Sequence, residues 1–219
     1  MKKNAIQFQK GLGLHEFLEM YGSEAQCEQA LYQLRWPDGF VCPQCGNTTG
    51  CALKARKIYQ CHKCHHQASL TAGTIFHGTK LPLHKWFLAI YLLTQRKKST
   101  SALQLSREIG VNYDTAWKLK HKLMQVMMER QREKKLSGRI EIDDAYIGGE
   151  KPGKRGRGSP NKTPFVAAVE TTQDGRPLQM HLRRVRGFRH TEISRYAKSS
   201  LARGSTVVSD ELYYFSAVQ

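Results

Sequence analysis

The stretch RIEIDDAYIGGEKPGKRGRGSPNK, from Arg139 to Lys162, decides how the C-terminal part of the chain is read. Residues 139–147 alternate in the two-residue period of a β-strand, with Ile140 and Ile142 on one side. Two adjacent carboxylates, Asp143 and Asp144, interrupt that pattern. An acid between Ile142 and the Tyr146-Ile147 pair falls where such a strand should present a core residue. Asp143 shares a side with Glu141 and Ala145, and Asp144 shares one with Ile140 and Ile142; the pattern alone does not choose between them. The strand breaks at Gly148-Gly149 into a glycine-spotted segment carrying Lys151, Lys154, Arg155, Arg157 and Lys162, with no acid after Glu150. Such a segment suits the backbone of a polyanion.

Working outward, TPFVAAVE and PLQMHLRRV read as two further strands. TEISRYAKSSLA reads as an amphipathic helix opening at Thr191, and STVVSDELYY as a fourth strand. The order β-β-β-α-β predicts an antiparallel meander whose helix crosses to a strand parallel to the first and beside it. Asp210, which closes the apolar run TVVSD, would then lie next to Asp143 despite 66 intervening residues. Like charges held close are costly unless a divalent cation neutralises them. Oxygen ligands suit Mg2+ or Mn2+, as two-metal phosphoryl transfer requires. The plainer reading of Asp210 is a turn residue at a strand end.

Upstream, CPQCGNTTGCALKARKIYQCHKCHH places Cys42, Cys45, Cys61 and Cys64 in a C-x2-C-x15-C-x2-C pattern. Each two-residue gap turns a pair of thiolates toward one ion, and two such knuckles close a tetrahedral zinc site. With four thiolates the site is closed, so the zinc is structural. His62, His65 and His66 read as solvent-facing imidazoles, Cys27 as a buried helix thiol and Cys51 as a loop thiol. Aromatic and β-branched neighbours, among them Phe40, Val41, Ile58 and Tyr59, predict short hairpins.

The remaining N-terminal segments are helical. Ser23 and Gln26 form a capping-box pattern ahead of a short helix that ends at Pro37-Asp38-Gly39. LPLHKWFLAIYLLTQ is apolar on more than one side and reads as a buried helix. SALQLSREIG opens with Ser101 and Gln104 and closes at Gly110, and VNYDTAWKLKHKLMQVMMERQ continues as a longer helix with Ala116, Leu119, Leu123 and Val126 in helical register. A short helix, a glycine turn and a longer helix make a helix-turn-helix pattern, with Tyr113, Thr115 and Lys118 placed to meet base edges and phosphates. Trp117 reads as core. A plain helical bundle is the competing interpretation of this segment.

The bulk numbers agree with a nucleic-acid partner. A formal charge of +17 and a pI near 9.8 concentrate polyanions, and both halves of the chain are basic. The first residues lack the apolar run of a signal peptide, and WFLAIYLL (Trp86–Leu93) is far short of the ~20 residues that span a bilayer. These features predict a cytoplasmic, nucleoid-associated protein with no membrane association. The predicted organisation is a helical segment over 1–36, a zinc ribbon over 37–80, a helix-turn-helix region over 81–137 and a catalytic domain over 138–219.

Taken together, the ribbon cysteines, SLTAGTIFHGTKLPLHKWFLAIYLL, VNYDTAWKLKHKL, DDAYIGGEKPGKRGRG and VVSDELYY resemble bacterial insertion-sequence transposases with an N-terminal zinc ribbon, a helix-turn-helix and an RNase H-like DDE catalytic domain. The resemblance implies an α/β chain in which ribbon and helices precede a mixed sheet. It implies double-stranded DNA as partner, both transposon ends and target, a homo-oligomer on DNA, and Mg2+- or Mn2+-dependent strand cleavage and transfer. Family members usually read Asp-Glu where this chain has Asp143-Asp144, which makes Asp143 the first catalytic acid; Ser209-Asp210 matches the second. Asp143 and Asp210 would hold the ions, the basic segment would hold the DNA backbone, and Arg183, Arg184, Arg186 and Arg189 would extend that surface.

One departure from the family pattern stands out. The family carries a third ligand, usually Glu and sometimes Asn, on a helix downstream of the second Asp, whereas this chain ends nine residues after Asp210. Glu211 would point to the opposite face of its strand. The expectation is therefore an incomplete RNase H-like sheet and a C-terminally truncated transposase that binds DNA better than it cuts it. The alternative is a non-catalytic zinc-ribbon/helix-turn-helix regulator whose β region serves dimerisation. A third reading is a nuclease fold that processes RNA.

Overall fold

The structure is a computed structural model that describes residues 11–53, 56–96, 98–148, 162–210 and 212–218 of the chain. The described residues fall into two compact units, one running up to Met127 and one from Met128 onward.

In the first unit, α1 (Leu14–Tyr21) and α2 (Glu24–Arg35) precede a three-stranded antiparallel sheet of β1 (Gly50–Leu53), β2 (Ile58–Cys61) and β3 (Gln67–Ser69), in the order β1-β2-β3. Then follow α3 (Leu83–Gln95), α4 (Ala102–Ile109) and α5 (Tyr113–Glu133), within which the division into units falls. The capping box forms as the sequence predicts: Ser23 Oγ accepts from the Gln26 N–H, and the Gln26 side chain accepts from the Ser23 N–H. Helix α3 has Pro82 at its N-cap and no cap of its own. Glu24 of α2 supplies one instead, its carboxylate accepting the N–H groups of Leu83 (2.8 Å) and His84 (3.0 Å).

One hydrophobic cluster joins α2, the ribbon and α3–α5, from Leu31, Trp36 and Phe40 to Trp86, Leu105 and Leu119. Gly50 makes this packing possible. A Cβ there would lie 2.7 Å from the Phe40 ring and 2.8 Å from the Gln60 carbonyl.

In the second unit, β4 (Arg139–Ile147), β5 (Thr163–Thr171) and β6 (Pro177–Arg184) form the antiparallel meander. Helix α6 (His190–Ser200) then leads to β7 (Thr206–Val208), parallel to β4, giving the sheet order β6-β5-β4-β7. Ile140, Ile142, Val166 and Ala168 pack with Ile193 and Tyr196 of α6 on one face. On the other face Met180 and Leu182 are half exposed.

Four expectations need correction. The fourth strand is only three residues long, because the chain leaves the sheet at Ser209 and turns Tyr214 and Phe215 into the core as a 3-10 helix, Tyr213–Val218. Helix α6 begins at His190, one residue early, with no side-chain cap at Arg189. Trp117 is 45% exposed and stacks on His121 at 4.0 Å instead of entering the core, since Ala116, Leu119 and Leu123 already form the buried stripe of α5. Cys51 lies on β1, not in a loop.

Candidate metal centres and nucleic-acid surface

The two cysteine knuckles are the same turn made twice. The Cys42 N–H donates to Asn47 O and the Gly46 N–H to Cys42 O; the Cys61 N–H donates to His66 O and the His65 N–H to Cys61 O. The residue after each second cysteine is left-handed, Gly46 at φ 70° and His65 at φ 57°. Glycine adopts that conformation freely, whereas histidine carries the steric cost of its Cβ.

The turns bring all four sulfurs within 4.8 Å of one another, with Cys42–Cys64 at 3.6 Å and Cys45–Cys61 at 3.7 Å. A tetrahedron with Zn–S bonds of ~2.3 Å has S···S edges of ~3.8 Å, so the donor set fits Zn2+. The Cys61 thiol is drawn down to about 6, first by the Cys64 backbone N–H, against the opposing push of burial. The Asn47 side chain and the Lys63 N–H reinforce it. Cys27 is the opposite case: fully buried, with burial first and then Glu24 and Glu28 pushing its thiol up to about 11. It is an inert helix thiol.

The second cluster is assembled by topology. The β4–β7 register pairs Arg139 with Thr206, Ile140 with Val207 and Glu141 with Val208. Continued by two residues, it sets Asp210 level with Asp143. Carboxylate oxygens of Asp143, Asp144 and Asp210 indeed lie within 4.8 Å of one another. Asp143 and Asp210 are exposed and Asp144 is half-buried. The sequence reading placed Asp143 at a core position; the core side of β4 instead takes Ile140, Ile142 and Asp144, and Asp143 sits on the open face. The Asp143 carboxylate accepts the N–H of Asp144 (2.8 Å), and Asp144 Oδ1 accepts the hydroxyl of Tyr214 (2.8 Å). Sequence reasoning held Asp144 as an alternative to Asp143 and not as a second member beside it, and it missed Tyr214 altogether. Strand alternation assigned Asp144 to the other face, and nothing in ELYYFS marked one tyrosine over its neighbour.

Helices α4 and α5 meet through a tight turn. Gly110 is left-handed (φ 63°, ψ 53°), so that its own N–H and that of Val111 both reach Ser106 O. Asn112 then caps α5 by accepting the Thr115 N–H (2.8 Å). Tyr113 and Lys118 are exposed on α5, and Thr115 is half-buried. Trp117 with His121 adds an exposed aromatic pair that the sequence reading did not select. Of the basic segment, Lys162 is described and half-buried; Lys151, Lys154, Arg155 and Arg157 lie outside the described residues. Arg183 donates to Ser199 Oγ and Ser200 Oγ of α6, while Arg184, Arg186 and Arg189 are exposed.

Comparison with known proteins agrees with this geometry. Residues 22–67 match the family described as transposase zinc-ribbon domain, and residues 135–219 match the ISXO2-like transposase domain. A protein in transposable element ISH50 of Halobacterium salinarum is 30% identical over 143 residues, covering 64% of this chain and 46% of that protein. No solved structure matches. A zinc ribbon followed by a transposase fold defines the class, and the chain belongs to the insertion-sequence transposases with an N-terminal zinc ribbon. It spans less than half the length of that curated relative. Among the described residues, no helix is long and apolar enough to cross a membrane.

Proposed function

We propose that this transposase binds the double-stranded ends of its element and carries out Mg2+- or Mn2+-dependent strand cleavage and transfer, acting as a homo-oligomer on DNA in the nucleoid. The observation that carries the reading is the meeting of Asp143 and Asp210, far apart in sequence, within the segment matched by the transposase domain. Their hard carboxylate oxygens suit Mg2+ or Mn2+. When bound, such ions activate the attacking oxygen and stabilise the leaving one. The protein's own part is to hold the acids in place: β4 carries Asp143, the exit from β7 carries Asp210, and the Asp144 N–H orients the Asp143 carboxylate.

On this reading the organisation follows the sequence divisions, with 1–80 as helical segment and ribbon, 81–137 as a helix-turn-helix and 138–219 as a DDE domain of RNase H-like type. Helix α5 meets DNA through Tyr113, Thr115 and Lys118, and Lys151, Lys154, Arg155, Arg157 and Lys162 follow the phosphate backbone. The test is Mg2+-dependent nicking of a duplex carrying the element's ends. Asp143→Asn should abolish nicking and retain DNA binding. End binding by the unaltered chain with no metal-dependent nicking would instead favour the non-catalytic regulator.

A further inference from the structure

Tyr214 lies outside every role assigned so far, yet it is 5% exposed and spends its hydroxyl on Asp144 Oδ1 at 2.8 Å. Its ring stacks on Phe188 (5.6 Å), which meets Tyr146 of β4 edge-on (5.2 Å). Tyr214 also follows Asp210 by four residues, on the 3-10 helix that begins at Tyr213. Strand β7 pairs with β4 through only three residues and ends before Asp210. The ladder therefore does not fix the Asp210 backbone. The chain on its far side is anchored by Tyr214.

From these contacts we infer that Tyr214 is a positioning residue of the carboxylate cluster. Its hydroxyl clamps Asp144, fixing that carboxylate beside Asp143, and its buried ring pins the segment carrying Asp210 against the end of β4. Asp144 thereby becomes a third carboxylate of the ion site, contributed by β4 itself. This inference rests on the metal-dependent reading above. It adds to it a specific hydrogen bond between two side chains 70 positions apart.

The experiment is Mn2+ titration of the full chain followed by electron paramagnetic resonance, alongside melting without metal. The proteins compared are the unaltered chain, Asp143→Asn, Tyr214→Phe, Asp144→Ala and the double variant Tyr214→Phe/Asp144→Ala. Tyr214→Phe keeps the ring packing and removes only the hydroxyl. It should weaken Mn2+ binding about fivefold, the equivalent of one ordinary hydrogen bond. With Asp144 already changed to Ala, which leaves the hydroxyl no side-chain acceptor at that position, the same Tyr214→Phe step should have little further effect, because the two groups act as one unit.

Unchanged Mn2+ affinity in Tyr214→Phe, with Asp143→Asn lowering it tenfold or more, would overturn the clamp and leave the metal site standing. Equal losses from Tyr214→Phe with and without Asp144 would also overturn it, since the hydroxyl would then act independently of that carboxylate. Absence of Mn2+ binding by the unaltered chain would overturn both the clamp and the metal-dependent reading.

Discussion

The two ligand clusters of this chain are built in opposite ways. Each cysteine knuckle is a local turn: two ligands three residues apart, with a left-handed residue directly after the second. Only the pairing of two such turns is long-range. The carboxylates owe their meeting to sheet order, with Asp210 reaching Asp143 because β7 adds in parallel beside β4. A site made of turns can be read from spacing, whereas a site made by topology can be read only after the strands have been ordered correctly. The comparison also separates tasks. Four thiolates close a coordination sphere, while exposed carboxylates leave an ion open to another partner.

The largest effect should come from the closed site. Cys61→Ser removes a ligand from a small ribbon whose metal contributes on the order of 10 kcal/mol in comparable peptides. Zinc content should fall and melting of the first unit should shift strongly downward, as it should when a chelator is added. If the variant keeps its zinc and its melting temperature, the view of this site as the ribbon's stabilising element fails. The open site predicts the reverse pattern. Asp143→Asn relieves like charge among three clustered acids, so metal-free stability should hold or rise slightly while Mn2+ binding drops tenfold or more, roughly the value of one lost charged ligand. A large loss of metal-free stability in that variant would mean that Asp143 is structural, erasing the contrast between the clusters.

Most of the framework was legible in the residues. Ser23 with Gln26, Gly110 and the β-β-β-α-β order all formed as read, because capping, left-handed turns and strand alternation are short-range signals. What was not legible depended on packing partners. Trp117 looked like core by its chemistry, but the buried stripe of α5 runs along Ala116, Leu119 and Leu123. The run STVVSDELYY looked like a long strand by composition, but burial of Tyr214 and Phe215 bends it into a 3-10 helix. That same bend brings the Tyr214 hydroxyl to Asp144, which explains why Tyr214 was not found beforehand.

A smaller effect sharpens how the ribbon is stabilised apart from its metal. Gly50→Ala places a Cβ against the Phe40 ring and, less forgivingly, against the Gln60 backbone carbonyl. The cost should be about 1–3 kcal/mol, as for overpacking elsewhere. Urea denaturation of the zinc-loaded protein would measure it. A neutral result would show that the β1–β2 pair shifts freely, and hence that the metal alone orders the ribbon.

The smallest effect concerns Glu24, a carboxylate that caps a helix from another element. Burial pushes the Glu24 carboxyl upward, but the N–H groups of His84 and Leu83, together with the His84 ring, outweigh it and hold the group below its ordinary value of 4.5. A carboxyl depressed in the folded state stabilises fully above its unfolded value, and that contribution disappears as pH falls through the folded one. Glu24→Gln keeps an acceptor for one N–H and loses the charge at the N-terminus of α3, which should cost about 1 kcal/mol at neutral pH. Because Gln does not titrate, the variant should lose less stability than the unaltered chain as pH is lowered through ~4.5 and below, and the two curves should converge there. Parallel curves over that range would mean that the charge of Glu24 contributes nothing, leaving only its shape to seat α3 on α2.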